Sequence, residues 1–364
     1  MRAVSVQEPP AGYRIDGRAR NMSGMELART IARIGIGLLA WLGACGSPEH
    51  ERAEASSSAA TLATADATGT SGTSEAGDIT STTQAGADTS TGAPETPAFS
   101  GPLTVMTFNV LCSFCDSSFD PWEERVPNIA DTIERHAPDL VGLQELALPE
   151  EVDQLLAVNP DYTAIFYGID DGSPYPDATI FYRTEMFEPV DYGFYWLSPT
   201  PDAPMSKGFA DGFQLPRLVT WAVLRHTGDG GELLFASTHF DNNAPSQEKS
   251  APLVLERTPS AADGRPIVFV GDFNSRPDSV AYATLTGADG FHFDDAFALA
   301  PEWSMDTNQT PAPAYDLGQR IDHVLLAGVA WDVERWVVDT WIYGANDLYV
   351  SDHFAITASL VAPE

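Results

Sequence analysis

Short apolar runs that stop at a polar residue recur through the second part of the chain, and they constrain what it can fold into. Pro266-Ile267-Val268-Phe269-Val270 ends at Gly271-Asp272-Phe273-Asn274. The same pattern gives Phe108-Asn109, Gln144-Glu145, Ser237-Thr238-His239, Arg320-Ile321-Asp322 and Ser351-Asp352-His353. Such runs, bounded by turn formers, read as buried strands. Side chains alternate between the faces of a strand, so Asp272 and Asn274 share one face and Phe273 takes the other. Any one of these endings is an ordinary turn or strand terminus. Six of them, carrying acids, amides and two histidines, point to shared chemistry: a carboxylate to polarise water and donors for an anionic oxygen.

Not all of the chain can build such a structure. Residues 46–100 are mostly Ala, Ser, Thr, Gly and Asp, with no aromatic residue before Phe99. Too little apolar surface is available there to offset the chain entropy lost on folding, so the segment reads as a disordered tether. Residues 101–362 suit one α/β domain. Helices are expected up to His136 after Asp120-Pro121-Trp122, and over 150–158, 246–257 and 279–285. Pro127 fits the first of these only in its opening turn. Residues 168–176 and 300–316 read as loops. Strands and helices without strict alternation argue for sheets with helices outside them.

The formal charge is −33, and residues 99–364 hold 12 basic against 41 acidic side chains. A surface this negative repels polyanions unless a cation intervenes, which makes long nucleic acid a poor substrate. A divalent cation in the site would reverse the local field.

Ahead of the tether, Arg29 and Arg33 flank the apolar stretch Ile34–Trp41, which is short for a membrane span and has the basic flank of an export signal. Leu42-Gly43-Ala44-Cys45 resembles a bacterial lipobox, in which the cysteine is lipidated. Residues 1–45 thus read as a lipoprotein signal, with Met25 as a candidate start because the first 24 residues do not fit a signal. With Gly46 and Ser47 following, the expectation is an extracytoplasmic protein held by Cys45 on the outer membrane of a Gram-negative cell. Cys112 and Cys115 form a C-x-x-C pair for which the chain lacks the further cysteines of a zinc site. Outside the cytoplasm the pair is a candidate disulfide.

The ordered set Thr107-Phe108-Asn109, Gln144-Glu145, Thr238-His239-Phe240-Asp241, Gly271-Asp272-Phe273-Asn274, Ile321-Asp322-His323 and Ser351-Asp352-His353-Phe354 resembles the endonuclease/exonuclease/phosphatase superfamily, which includes DNase I-like nucleases, sphingomyelinases and inositol-phosphate phosphatases. The resemblance implies a four-layer α/β sandwich, two packed sheets flanked by helices. It also implies Glu145 as principal ligand of Mg²⁺ (Mn²⁺ or Ca²⁺ as substitutes), helped by Asn109 and Asp352 directly or through water. Asp272 then orients and deprotonates the attacking water, Asn274 holds that water or a phosphoryl oxygen, and His239 and His353 donate to the phosphoryl group. Asp322 partners His353, and Arg217 matches a phosphate-contacting arginine of the DNase I branch. Asp177 is offered as the partner of His239, although its spacing looks one residue off. Trp122 and Arg125 resemble a structural pair, and His323 reads as a packed side chain.

The expected protein is a monomeric phosphodiesterase, nuclease-like or acting on a phospholipid or sugar phosphate. A phosphomonoesterase of the same fold and a catalytically silent surface binding protein are the alternatives. Labelling with radioactive palmitate tests the leader: wild type should incorporate label that a Cys45→Ala chain does not, and equal labelling removes the lipid anchor.

Overall fold

The computed structural model describes residues 96–168, 174–209, 214–344, 346 and 348–364. The leader, Cys45 and most of the tether lie outside the described residues. Packing begins slightly before the expected boundary at Gly101. Phe99 is buried, its N–H donates to Glu232 O (2.9 Å), and Pro97 O accepts from Glu232 N–H (2.9 Å).

A seven-stranded sheet has the order β10-β12-β13-β1-β2-β4-β3. Its strands are β1 (Gly101–Asn109), β2 (Leu140–Gln144), β3 (Tyr162–Tyr167), β4 (Tyr175–Arg183), β10 (Trp303–Asp306), β12 (Asp332–Asp339) and β13 (Ile356–Ala362). The six-stranded sheet runs β5-β6-β7-β8-β11-β9. It is built from β5 (Phe187–Trp196), β6 (Leu218–His226), β7 (Glu232–His239), β8 (Ile267–Asp272), β9 (Asp294–Asp295) and β11 (Asp322–Ala327). Helices α1 (Trp122–His136) and α2 (Pro149–Val158) cover the first sheet. Helices α3 (Ala244–Ala262) and α4 (Val280–Gly287) cover the second, and the short α5 (Ala296–Leu299) follows β9. The four-layer sandwich is thus present.

Alternation along each strand sorts the residues into layers. In β1, Leu103 and Val105 enter the core between the sheets, whereas Met106 and Phe108 pack under α1 and α2. In β8, Val268 and Val270 face the other sheet, while Ile267, Phe269 and Phe273 pack under α3 and α4. The inner rows then change character toward one edge, where Asn109, Gln144, His239, Asp272 and Asp322 continue the faces that Val105, Leu140, Phe235, Val270 and Val324 began. Parallel pairing of β1 with β2 and of β7 with β8 brings their carboxyl ends together, with Asn109 opposite Gln144 and His239 opposite Asp272. Antiparallel β11 starts there, with Asp322 opposite Asp272. One edge of the sandwich therefore collects the polar residues.

Two expectations are corrected. Pro127 lies beyond the first turn of α1, on its exposed side, where the carbonyl that loses its helical partner can meet water. The expected loop at 300–316 contains β10, which pairs in parallel with β12; four residues are too few for alternation to show. Across the sandwich, Thr107 Oγ1 donates to Gln144 Oε1 (3.3 Å) and Gln144 Nε2 donates to Ser237 Oγ (3.2 Å), a buried polar link between the sheets. Gly142 permits that approach, because a Cβ there would collide with Val270 Cγ2 and stand 2.8 Å from Ser237 Oγ. Gly142→Val should therefore destabilise the domain by about 1–3 kcal/mol through overpacking, read as a lower thermal midpoint. An unchanged midpoint would show that the sheets part easily here.

Candidate active site

Asn109 is fully buried at the end of β1, and its amide is held in one orientation. Its Oδ1 accepts the Leu111 N–H (3.0 Å), which leaves Nδ2 to donate to Glu145 Oε1 (3.1 Å) and to Asp272 Oδ2 (3.1 Å). The sequence reading expected Asn109 to serve a metal. In this structure the amide also holds two carboxylates from different sheets at one place.

Glu145 follows β2 with φ 67°, in the left-handed region that non-glycine residues seldom occupy. Its own N–H donates to Asp177 Oδ1 (2.9 Å), and its Oε2 accepts the Cys112 N–H (3.0 Å). Leu111, Ala178 and Asn274 share positive φ, at 55°, 62° and 48°. Clusters of such strain are maintained where the surrounding contacts over-determine them, commonly at functional sites.

Asp272 is the centre of the arrangement. Its Oδ1 accepts the Asn274 N–H (2.8 Å), and its Oδ2 lies 3.4 Å from His239 Nε2 and 3.8 Å from His353 Nε2. Each of these rings is backed by an acid on its other nitrogen: Asp177 Oδ1 at 3.0 Å from His239 Nδ1, and Asp322 Oδ2 at 2.8 Å from His353 Nδ1. Burial disfavours a charged His353, but Asp322 and Asp272 outweigh it and raise its pKa well above the usual imidazole range. For His239, burial and the Arg217 charge oppose protonation, yet Asp177 and Asp272 raise its pKa too. Acids therefore raise the pKa of both rings that flank Asp272, that of His353 the more strongly.

Asp177 reaches the site through a bulge. Ile165 pairs with Ile180 but Tyr167 with Tyr175, so β4 carries extra residues opposite β3. Arg217 Nη1 donates to Asp177 Oδ2 (3.0 Å) and lies 2.8 Å from His239 Nδ1, and the side chain is only 12% exposed. Arg217 thus stands beside His239 and pairs with its acid partner. Asn274 Nδ2 donates to Phe240 O (3.0 Å), which leaves its other hydrogen and Oδ1 for a water or phosphoryl oxygen.

Residues that the strand endings did not single out hold this frame. Gln247 of α3 donates to Asn274 O (2.8 Å), and Ser351 Oγ donates to Asn109 O (2.7 Å) while accepting the His353 N–H (3.2 Å). Buried Arg125 donates to carbonyls of Val110 and Val350 (2.6 and 3.1 Å), tying the segment after β1 to the one that carries Asp352 and His353. Cys112 and Cys115 are disulfide-bonded. His323 points the other way, with Nε2 2.8 Å from Ser275 O and its ring against Phe273 and Tyr282, as a packed residue.

The donors suit a hard divalent cation. Glu145 and exposed Asp352 offer carboxylate oxygens, and neither makes an ion pair among the described residues. Packing around the carboxyl raises the Asp352 pKa, His353 opposes this, and the Glu145 charge adds to the rise, which places both acids in one field. Asp322 Oδ1 is buried without a hydrogen-bond partner, a vacancy that an incoming donor could fill. Asp272, Asp322 and His353 also converge, with one oxygen or nitrogen of each within 4.8 Å of the others, but His353 supplies the positive charge there.

Comparison with known proteins agrees with this geometry. A model of the Endonuclease/Exonuclease/phosphatase family matches residues 106–353. An endonuclease/exonuclease/phosphatase family protein of Bacteroides thetaiotaomicron superposes with a TM-score of 0.62 at 29% identity, covering 73% of this chain and 100% of that one. The mannosyl-6-phosphatase of the same bacterium superposes with a TM-score of 0.61 at 29% identity, covering 71% and 99%. Protein angel of Drosophila melanogaster is 28% identical over 178 residues, 47% of this chain and 49% of that protein. The chain spans 32% to 49% of the length of the curated relatives it matches.

The Asp322–His353 pair sets a pH dependence. His353 is a donor only while protonated, so turnover should fall as pH rises through its elevated pKa. Asp322→Asn removes the neighbouring anion, and the alkaline limb of kcat/KM should move to lower pH. A limb that stays in place would assign the titration to another group.

Proposed function

The chain belongs to the endonuclease/exonuclease/phosphatase family, and on that premise we propose that it is a divalent-metal-dependent phosphoester hydrolase. The supporting observation is Asp272, held by Asn109 and Asn274 between two acid-backed histidines, with Glu145 joined to it through the same Asn109 amide. Glu145 and Asp352 are the residues that would hold Mg²⁺, and a bound cation would neutralise charge on the phosphoryl oxygens. Asp272 orients a water for in-line attack and takes its proton. His239 and His353 donate to the phosphoryl oxygens as negative charge grows in the transition state. Asp177 and Asp322 keep those rings charged and aimed.

Charge favours a phosphodiester. Glu145, Asp177, Asp272, Asp322 and Asp352 are balanced by Arg217, two protonated histidines and one divalent cation, so a substrate adds the only net charge. A monoanionic diester suits that balance better than a dianionic monoester. The acidic domain favours a small polar leaving alcohol, as in a sugar phosphate or a lipid headgroup, over long nucleic acid. Similarity to a mannosyl-6-phosphatase supports a second reading, hydrolysis of a sugar phosphomonoester. Leu42-Gly43-Ala44-Cys45 supports work outside the cytoplasm, on a lipid anchor.

Release of nitrophenol from bis(p-nitrophenyl) phosphate should be lost in EDTA and restored by Mg²⁺. Asp272→Ala should lower it by about 10²-fold or more with little change in thermal midpoint. Faster release from p-nitrophenyl phosphate, together with hydrolysis of mannose 6-phosphate, would select the monoester reading. No release with any divalent cation would leave a binding protein.

A further inference from the structure

The segment between β1 and α1 is held from two sides. Arg125 Nη1 donates to Val110 O (2.6 Å), and Nη2 donates to Leu111 O (2.8 Å) and Cys112 O (3.3 Å). In the opposite direction, the Leu111 N–H donates to Asn109 Oδ1 and the Cys112 N–H to Glu145 Oε2, each at 3.0 Å. Carbonyls from 110 to 112 thus face the helix, and two successive N–H groups face the site. Leu111 has to adopt φ 55° to achieve this, a conformation that a leucine does not hold unaided.

Beyond Cys112 the chain comes to the surface. Residues 113–120 are partly or fully exposed, with Phe114 42% exposed. The contacts that close the turn are the Cys115 N–H donated to Cys112 O (3.3 Å) and the disulfide, which joins a buried Cys112 to a partly exposed Cys115 across a Cα separation of 5.3 Å. The covalent bond therefore sits one residue from the strained Leu111, on the residue whose N–H grips the Glu145 carboxylate.

We propose that the Cys112–Cys115 disulfide is a positioning element of the candidate metal carboxylate: by fixing the Cys112 N–H, it holds Glu145 in the rotamer that receives the cation. The inference rests on the metal-dependent reading above. Glu145 is held by two donors, Asn109 on Oε1 and Cys112 on Oε2, and loss of the second lets the carboxylate rotate away from Asp352. Partners that orient a metal ligand typically carry about 10–100-fold in affinity. Global stability should depend on the bond far less, because closing a loop with a sequence separation of 3 constrains the unfolded chain little.

The experiment compares the oxidised wild type, the same protein reduced with dithiothreitol, and a Cys112→Ala/Cys115→Ala double variant, whose methyl groups add no metal ligand. Mg²⁺ affinity is measured by titration calorimetry, the metal-free thermal midpoint by calorimetric scanning, and turnover as a function of Mg²⁺. The expected result is Mg²⁺ affinity lower by about tenfold or more in both altered forms, a nearly constant midpoint, and turnover that recovers when Mg²⁺ is raised. Equal affinity in all three forms overturns the positioning role while leaving the hydrolase reading intact. Turnover that excess Mg²⁺ does not restore overturns it as well, since the bond would then be acting on something other than the cation. A wild type that binds no Mg²⁺ overturns both readings.

Discussion

Two carboxylates from different sheets share one amide. Asn109 donates to Glu145 and to Asp272 from the same nitrogen, and the rest of the site is arranged around that bridge. Like charges brought together in a protein interior repel, and hydrogen-bond donors placed between them offset that repulsion. Hydrogen bonds to charged groups contribute roughly 1.5–3 kcal/mol each. The amide supplies two of them, while the Leu111 N–H, by occupying Oδ1, keeps it from turning over. The left-handed backbone at Leu111, Glu145 and Asn274 follows from the same need, since each places a main-chain N–H on a site side chain or on a partner of one.

The sheets convert that local arrangement into a crevice. Apolar side chains fill the space between them as far as Val105, Phe235, Val270 and Val324, after which the same rows present Asn109, His239, Asp272 and Asp322. Burial strengthens every interaction at that edge, because little water screens it. The two Asp–His pairs are a consequence: removed from solvent, each imidazole has its pKa raised by the acid on its far nitrogen, against the effect of burial. A site with this much negative charge and so few cations is prepared for a metal and an anion together, which is the electrostatic basis of the proposed hydrolysis.

Much of this could be read from the chain before any coordinates. Period-2 alternation is a local property, so the strand ends, the shared face of Asp272 and Asn274 and the opposite placement of Phe273 follow from spacing alone. The ordered set of endings carried the family resemblance and hence the layered fold. Where local signals were weak, the reading was incomplete. β10 is too short for a pattern, and the bulge that swings Asp177 inward depends on pairing with β3. The sequence marked Arg125 as structural, but not that its guanidinium donates to five carbonyls.

By itself the sequence determined which residue types stand at the ends of the strands and that the domain is strongly acidic. These properties depend on neighbours along the chain and on composition. Tertiary structure alone decided who pairs with whom. It set the Asn109 amide between Glu145 and Asp272, placed Arg217 against Asp177 and His239, and put the Cys112 N–H on Glu145. Each outcome is a competition between donors and acceptors far apart in sequence, won by whichever geometry satisfies the most buried polar groups, and that contest exists only once the sheets are packed.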